Sequence, residues 1–219
     1  MAESPAAGAA PAPHAPDVAL TDAQRQSLRH YVDLLLRWNA THNLTALRDP
    51  DTAWTHHVLD SLAALPAVDA RLSGLAHPRV ADIGSGAGLP GIPWAVARPA
   101  WEIHCIDAVA KKVAFLRQAA AQLRLPNVHP HHARVESAGL VGFDLVTSRA
   151  FASLADFVRL TRLLLAPEGV WLALKGRRPQ QEIDALPTDV QVFHVEPIQV
   201  PGLAAERTLV WIRPAPPAA

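Results

Sequence analysis

The sequence predicts an α/β fold in which helices cover both faces of a mainly parallel β-sheet. From residue 78 onward, apolar strand-like segments alternate with helix-like segments of about ten residues or more, the pattern of a parallel sheet. The segment VADIGSGAGLPGIP, residues 80–93, places four glycines and two prolines where a strand would turn into a helix. Half of the 219 residues are apolar, so one sizeable core can form, with room for a small accessory unit.

The chain before the sheet divides into a tail and a helical cap. Residues 1–18 are rich in alanine and proline and predict a disordered tail. Over residues 19–76 we expect the cap, in which Thr21 and Gln24 form a capping box and a second helix follows Pro50. Apolar residues at three- and four-residue steps give the first helix one buried face, formed by Leu28, Tyr31, Leu35 and Trp38.

The sheet domain is predicted over residues 77–214, followed by a short tail at 215–219. Its third strand is weakened by Pro130, which cannot donate to a strand ladder. The predicted strands, in chain order, are RVADIG, EIHCID, NVHPHHARV, FDLVTSR, VWLALKG, DVQVFHVEPIQV and RTLVWIRP.

Composition excludes several classes of protein. The formal net charge is zero, so an RNA partner would have to meet a local basic face. No apolar run is long enough for a membrane span and the N-terminus lacks a secretory signal, so we expect a cytoplasmic protein without membrane contact. The single cysteine, Cys105, excludes a disulfide framework and a cysteine-based zinc site. The paired histidines lack partners at metal-ligand spacing, so no metal is expected.

The glycine segment predicts a site where a ligand approaches the backbone closely. A dinucleotide favours Gly-x-Gly-x-x-Gly, whereas the spacing here is Gly84, Gly86 and Gly88, and a P-loop would require a lysine that the segment lacks. Asp82 precedes the loop, and we expect its carboxylate to face the ligand. At about 4 Å two like charges cost ~4 kcal/mol, so this carboxylate opposes a pyrophosphate and favours the cationic S-adenosylmethionine.

Further candidates follow the second and third strands. Asp107 ends the second strand, 23 residues after Gly84, close to the position of an acid that binds ribose hydroxyls. Val135 and Glu136 follow the third strand, where an adenine would lie. Because ribose-binding acids serve NAD and S-adenosylmethionine alike, Asp107 indicates an adenosine ligand without separating the two.

Two motifs that the sequence lacks narrow the set of possible methyl acceptors. The fourth strand ends in SRAF, without the Pro-Pro-aromatic sequence of amino-group methylases. A carbon-5 pyrimidine methylase needs a nucleophilic cysteine, and Cys105 lies inside a strand. An acceptor that needs no activation remains, such as N7 of guanine, and small-molecule thiols and amines also qualify. For such an acceptor, catalysis would rest mainly on proximity and alignment.

Taken together, these motifs closely resemble those of the bacterial small-subunit ribosomal RNA guanine-N7 methyltransferases, also called glucose-inhibited division protein B. The resemblance runs from about Leu20 to Arg213, and its most specific parts are WNxxxNLT, GLPGIP and SRAFAS. The segments that carry it are LLLRWNATHNLTALRDP, HHVLDSL, DIGSGAGLPGIPWAVARP, KKVAFLRQ, RVES, SRAFASL and LALKG.

The resemblance implies a class I S-adenosylmethionine-dependent methyltransferase, with a Rossmann-like seven-stranded sheet, an antiparallel last strand and an N-terminal helical cap. It implies methylation of one guanine of 16S ribosomal RNA, free or in a small-subunit assembly particle, by a monomer. Arg149 would lie beside cofactor and acceptor as the catalytic residue. The family's cofactor contacts fall here on Gly84, Leu89, Val135, Glu136 and Arg149, with Asp107 in the ribose position. A small-molecule methyltransferase and a non-catalytic RNA-binding module remain alternatives.

Overall fold

The computed structural model describes residues 18–149, 151 and 153–216. The predicted N-terminal tail therefore lies outside the described residues, apart from Val18. The helices are α1 (Asp22–His42), α2 (Pro50–Ala53), α3 (Asp60–Leu62), α4 (Leu65–Leu72), α5 (Gly91–Ala97), α6 (Ala110–Gln122), α7 (Leu154–Thr161) and α8 (Gln180–Asp184). The strands are β1 (Arg79–Ile83), β2 (Glu102–Asp107), β3 (Val128–His132), β4 (Phe143–Ser148), β5 (Leu165–Lys175), β6 (Val190–Val200) and β7 (Leu203–Pro214).

The strands form one seven-stranded sheet in the order β3-β2-β1-β4-β5-β7-β6. Strands β1 to β5 pair in parallel, and β7 runs antiparallel to both of its neighbours. The predicted fold class is confirmed. Strand order reverses between β1 and β4, and ligands of such sheets bind beyond the carboxyl ends of the strands at that point.

The first predicted helix is confirmed, including its capping box at Thr21 and Gln24. Three residues of its predicted apolar face are fully buried, and Trp38 is half-buried at the edge of the core. The helix packs against α5 and α6, and the side-chain amide of Gln24 donates to the carbonyl of Val96 at 2.9 Å. The cap is thereby fixed to one face of the sheet domain.

The second predicted helix is interrupted. It begins at Pro50 as α2, passes through a π-helical turn at Trp54–Leu59 and continues as α3. A separate helix, α4, starts at Leu65 because Pro66 lacks the amide hydrogen that a continuing helix would need. π-Helical turns often mark functional sites, and this one contains His56 and His57, both half-buried.

Strand β3 forms despite Pro130 because it pairs with β2 alone and lies at the edge of the sheet. In the part of the chain that the structure describes, none of the helices has the length and apolar character of a bilayer span.

Candidate active site

A cavity of about 280 Å³ lies at the carboxyl ends of β1 and β2. Four of the predicted cofactor residues line it, namely Gly84, Asp107, Val135 and Glu136. Apolar side chains, among them Ile83, Ile106 and Phe151, form much of the remaining wall. An apolar slot with a few polar groups at its edges is the usual form of a pocket for a nucleoside.

The three loop glycines differ in their surroundings, although all have a positive φ. Gly84 is exposed and Gly86 half-buried, so their backbone is open to a ligand. Gly88 is buried, and a Cβ there would collide with Ile92 and lie 2.9 Å from Leu116 Cδ2. Close packing therefore explains Gly88, whose predicted contact with the cofactor stays a prediction. Leu89 follows the loop and is half-buried.

The carboxylate of Asp107 organises the loop while also facing the cavity. Its Oδ2 accepts from the Gly86 amide and its Oδ1 from the Val109 amide, each at 2.9 Å. Lys112 Nζ lies 3.6 Å from Oδ2, so this lysine forms an ion pair with the carboxylate. A carboxylate offers about four acceptor positions, which leaves capacity for ribose hydroxyls.

Asp82 is fully buried beneath the glycine loop and is not among the residues that line the cavity. Its Oδ2 accepts from the Gly91 amide at 3.0 Å, and its Oδ1 has no hydrogen-bond partner among the described residues. A Cβ at Gly91 would lie 2.9 Å from this Oδ2 and 2.9 Å from Cys105 Sγ, so glycine is needed for the approach. The expected orientation toward the cavity is thus not seen, because the start of α5 holds one oxygen.

Burial raises the pKa of Asp82 to about 7, against the opposing effects of the Gly91 hydrogen bond and Arg149. From the sequence, Asp82 is expected to carry a negative charge when it faces the ligand. In the structure, a cation brought close to the unpartnered Oδ1 would stabilise the charged form.

Tyr31 of α1 reaches the same region from the cap. Its hydroxyl donates to the carbonyl of Ala87 at 2.7 Å, and burial raises its pKa well above the usual value. Sequence reasoning assigned Tyr31 to an apolar face and missed the hydroxyl. The helical period predicts that Tyr31 is buried. A buried tyrosine hydroxyl usually has a hydrogen-bond partner, but the sequence does not indicate which group that partner is.

Arg149 directly follows β4 and lines a second cavity, also of about 280 Å³. Asp60, Lys175 and Arg207 share this cavity wall. Phe151, two residues beyond Arg149, lines the first cavity. The segment after β4 therefore lies between two cavities, one beside the glycine loop and one beside the cap.

The WNxxxNLT motif positions a histidine close to Arg149. Asn39 accepts from the Thr45 amide at 2.9 Å and donates to the Leu47 carbonyl at 3.0 Å, which fixes the turn after α1. The Thr45 hydroxyl in turn lies 2.8 Å from His57 Nε2. Burial, followed by the positive charge of Arg149, lowers the pKa of His57 to about 4, so the imidazole is neutral at pH 7.

Lys175, at the end of β5, is half-buried and held in place. Its Nζ donates to the Phe151 carbonyl at 3.2 Å and lies 2.8 Å from Glu182 Oε2. Lys175 therefore lies at the carboxyl end of β5, in the wall of the same cavity as Arg149.

The chain matches the family model described as rRNA small subunit methyltransferase G over residues 24–210. A protein of Leptothrix cholodnii named Ribosomal RNA small subunit methyltransferase G is 54% identical over 195 residues, covering 89% of each chain. A protein of Verminephrobacter eiseniae with the same name is 53% identical over 213 residues, covering 90% of this chain and 89% of its own. The chain belongs to this family.

Two solved structures support the fold of this methyltransferase G family member. A SAM dependent methyltransferase from Aquifex aeolicus matches 78% of this chain and 96% of its own, with a TM-score of 0.55 and 17% identity. TrmN from Thermus thermophilus matches 71% of this chain and 48% of its own, with a TM-score of 0.53 and 21% identity. The family assignment confirms the predicted S-adenosylmethionine cofactor and, at the level of the family, action on ribosomal RNA.

The residues present fit this cofactor. The cavity offers a carboxylate and an apolar slot for an adenosine, and the unpartnered, buried Oδ1 of Asp82 suits a positively charged group beside the loop. Between the cavity and Asp82, the absence of side chains at Gly84 and Gly86 leaves the backbone open. The individual contacts of the predicted site residues remain predictions.

Three residues of the second cavity were missed by sequence reasoning as members of the site. Asp60 lay within the quoted HHVLDSL segment but had no role, and Arg207 and Thr208 belonged to a predicted strand. No local spacing links them, because they come from the cap and from β7.

Proposed function

We propose that this chain transfers the methyl group of S-adenosylmethionine to N7 of a guanine in 16S ribosomal RNA. The observation that carries the proposal is the placement of Arg149 and Phe151, two positions apart in sequence, on the walls of two different cavities. The first cavity suits the adenosine of the donor. The second, beside the cap, suits the base that accepts the methyl group.

In the first cavity, Asp107 would hold the ribose hydroxyls, and Val135 and Glu136 would bind the adenine. Gly84 and Gly86 would admit the remainder of the donor toward Asp82. This arrangement is supported by the lining of the cavity and by the buried carboxylate oxygen that lacks a partner.

S-adenosylmethionine supplies a methyl group on a sulfonium, which the lone pair of guanine N7 can accept without prior deprotonation. The chain therefore needs to align the reactants rather than to remove a proton. His57, neutral at pH 7, and Arg149, paired with Asp60, stand close to the second cavity. Arg149 would orient the base while Asp82 stabilises positive charge beneath the loop.

A polyanionic substrate is favoured over a small molecule by the second cavity. Three cationic side chains, Arg149, Lys175 and Arg207, line it, with Asp60 as its acidic member. Arginine and lysine at the mouth of a site are suited to phosphate contacts, whose strength falls steeply with salt. We propose that a cytoplasmic monomer acts on ribosomal RNA, free or within a small-subunit assembly particle.

The test is cleavage of 16S ribosomal RNA with borohydride and aniline, read by primer extension. RNA from cells with the protein should show one N7-methylguanine stop that is missing from cells lacking it. Restoring the gene should restore the stop, and so should a variant with Arg159→Gln, an exposed residue of α7. An identical pattern with and without the protein would contradict the proposed function.

A further inference from the structure

Asp60 occupies an unusual position between the cap and the sheet domain. It is 3% exposed and begins α3, directly after the π-helical turn. Its Oδ2 lies 3.0 Å from Arg149 Nη2, and its Oδ1 accepts from Arg207 Nε at 2.5 Å. A single buried carboxylate thus binds two arginines from different parts of the sheet, one that directly follows β4 and one within β7.

We propose that Asp60 is a positioning residue for methyl transfer. It holds the guanidinium groups of Arg149 and Arg207 on the wall of the second cavity, where the acceptor base would lie. This inference rests on the proposed function. It gives the cap a role in the reaction itself, in addition to any role in binding RNA.

The carboxylate is built into a rigid part of the cap. Next to it, the Ser61 carbonyl accepts from Trp94 Nε1 at 2.7 Å, and the Ser61 hydroxyl donates to the His57 carbonyl at 2.6 Å. The Ser61 hydroxyl also accepts from Arg149 Nη1 at 3.4 Å. Arg149 is therefore held at two of its nitrogens by consecutive residues of the cap.

Charge explains why the two arginines need a shared carboxylate. Their side chains are 25% and 23% exposed, so water solvates each guanidinium only in part. Without Asp60 the two like charges would repel and long side chains with several rotatable bonds would separate. Lys175 has its own carboxylate in Glu182, which leaves Asp60 as the partner of this pair.

A second ion pair between cap and sheet domain provides a matched control. Asp69 of α4 accepts from Arg98 Nε at 2.7 Å, with a further contact between its Oδ2 and Arg98 Nη2. Neither residue is among those that line the two cavities. Asp69→Asn therefore removes a comparable cap contact at a distance from the site.

The experiment measures the single-turnover rate of methyl transfer to RNA, together with the melting temperature and S-adenosylhomocysteine affinity of each variant. Asp60→Asn should lower the rate about 100-fold, as expected when reacting groups are displaced by about 1 Å. Asp69→Asn should keep the rate within about 2-fold even where its melting temperature falls. Equal rates for Asp60→Asn and the wild type would overturn the proposal.

A double-mutant cycle separates positioning from general damage. In an Arg149→Gln/Arg207→Gln background, which removes both positive charges, adding Asp60→Asn should change the remaining rate by less than about 3-fold, since its charged partners are already gone. A further loss of about 100-fold in that background would show that Asp60 acts independently of the arginines and would overturn the proposal.

Should Asp60→Asn not fold, Asp60→Asn/Arg207→Gln replaces it, because it removes one charge of each sign. The same loss of rate is expected, and wild-type activity would contradict the proposal. If the proposed function itself were wrong, the wild-type protein would form no N7-methylguanine. That result differs from a failure of the Asp60 proposal, in which wild type and Asp60→Asn would be equally active.

Discussion

The two cavities on either side of the segment after β4 are built in different ways. The first is assembled largely from short stretches at the ends of β1, β2 and β3, which supply Gly84, Asp107 and Glu136 respectively. The second joins Asp60 of the cap to Arg149 and to Arg207 of β7, which lie 89 and 147 positions beyond Asp60 along the chain. The first cavity therefore forms within the sheet domain alone. The second cavity forms only when the cap packs against the sheet domain.

From this difference between the two cavities we predict that cofactor binding depends most strongly on Asp107. Asp107→Ala removes the proposed ribose ligand and two hydrogen bonds to the amides of Gly86 and Val109, so S-adenosylhomocysteine affinity should fall about 100-fold, or ~3 kcal/mol. Calorimetry measures this loss.

Asp60→Asn serves as the control for the cofactor side, because it should leave the same affinity within about 3-fold. If Asp107→Ala bound S-adenosylhomocysteine as tightly as the wild type, the assignment of the first cavity to the adenosine would be wrong.

A second prediction separates packing from ligand contact within the glycine loop. Gly88→Ala places a methyl group against Ile92 and Leu116 at a positive φ, so the protein should lose about 2 kcal/mol of unfolding free energy. Gly86→Ala has no such neighbour, and its Cβ would lie 3.8 Å from the Gly84 carbonyl oxygen, so it should be less destabilising. Chemical denaturation of the two variants measures the difference, and equal stabilities would contradict the packing role of Gly88.

A third prediction concerns the buried carboxylate under the loop. Because the pKa of Asp82 is raised to about 7, the folded protein is least stabilised by this residue when it is charged, above that pH. The cost of the charged carboxylate builds up between the unfolded pKa near 4 and the folded pKa of about 7, so Asp82→Asn should stabilise the unliganded protein by about 2 kcal/mol more at pH 8 than at pH 5.

The same variant should bind the cationic S-adenosylmethionine more weakly at pH 8, by about 5-fold, since an amide does not attract positive charge. Melting curves and calorimetry at both pH values provide the measurement. Tighter binding of S-adenosylmethionine by Asp82→Asn at pH 8 would show that the charge of Asp82 does not attract the cofactor.

Much of the first cavity could be predicted from the sequence, and little of the second. Gly84 and Asp107 follow strands at a recognisable spacing, and both line the cavity. The burial of Asp82 was missed because it depends on Gly91, on another element, approaching within hydrogen-bond distance. Asp60 and Arg207 meet only after the cap packs on the sheet, and no period or motif within either segment indicates that contact.

The smallest effect is expected far from both cavities, on the sheet face near the start of β2. There His104 Nδ1 lies 3.0 Å from His131 Nε2 and the two rings stack, while the tilted ring of His129 lies 4.7 Å from that of His104. Burial, then His129, His131 and Arg79, lower the pKa of His104 to about 3, and Glu102 lies 3.9 Å away. No group of metal-ligating side chains was found within residues 18–149, 151 and 153–216.

Because the folded state keeps His104 neutral while the unfolded chain takes up a proton below about pH 6.5, stability should fall as the pH decreases from 7 to 5. His104→Phe, which can pack on Phe143, should reduce that fall by about 1 kcal/mol, since the phenyl ring takes up no proton in either state. Thermal melts at pH 7 and 5 test this, and an unchanged difference would show that other groups cause the acid sensitivity. S-adenosylhomocysteine affinity at pH 7 should be unaffected.

The most direct measurement of the central claim is mass spectrometry of nucleosides from 16S ribosomal RNA after incubation with the purified protein and methyl-labelled S-adenosylmethionine. The RNA should come from cells lacking the protein. The account predicts that the label appears in 7-methylguanosine and that Asp107→Ala and Asp60→Asn both reduce it. Label in a different nucleoside, or none in the RNA, would contradict it.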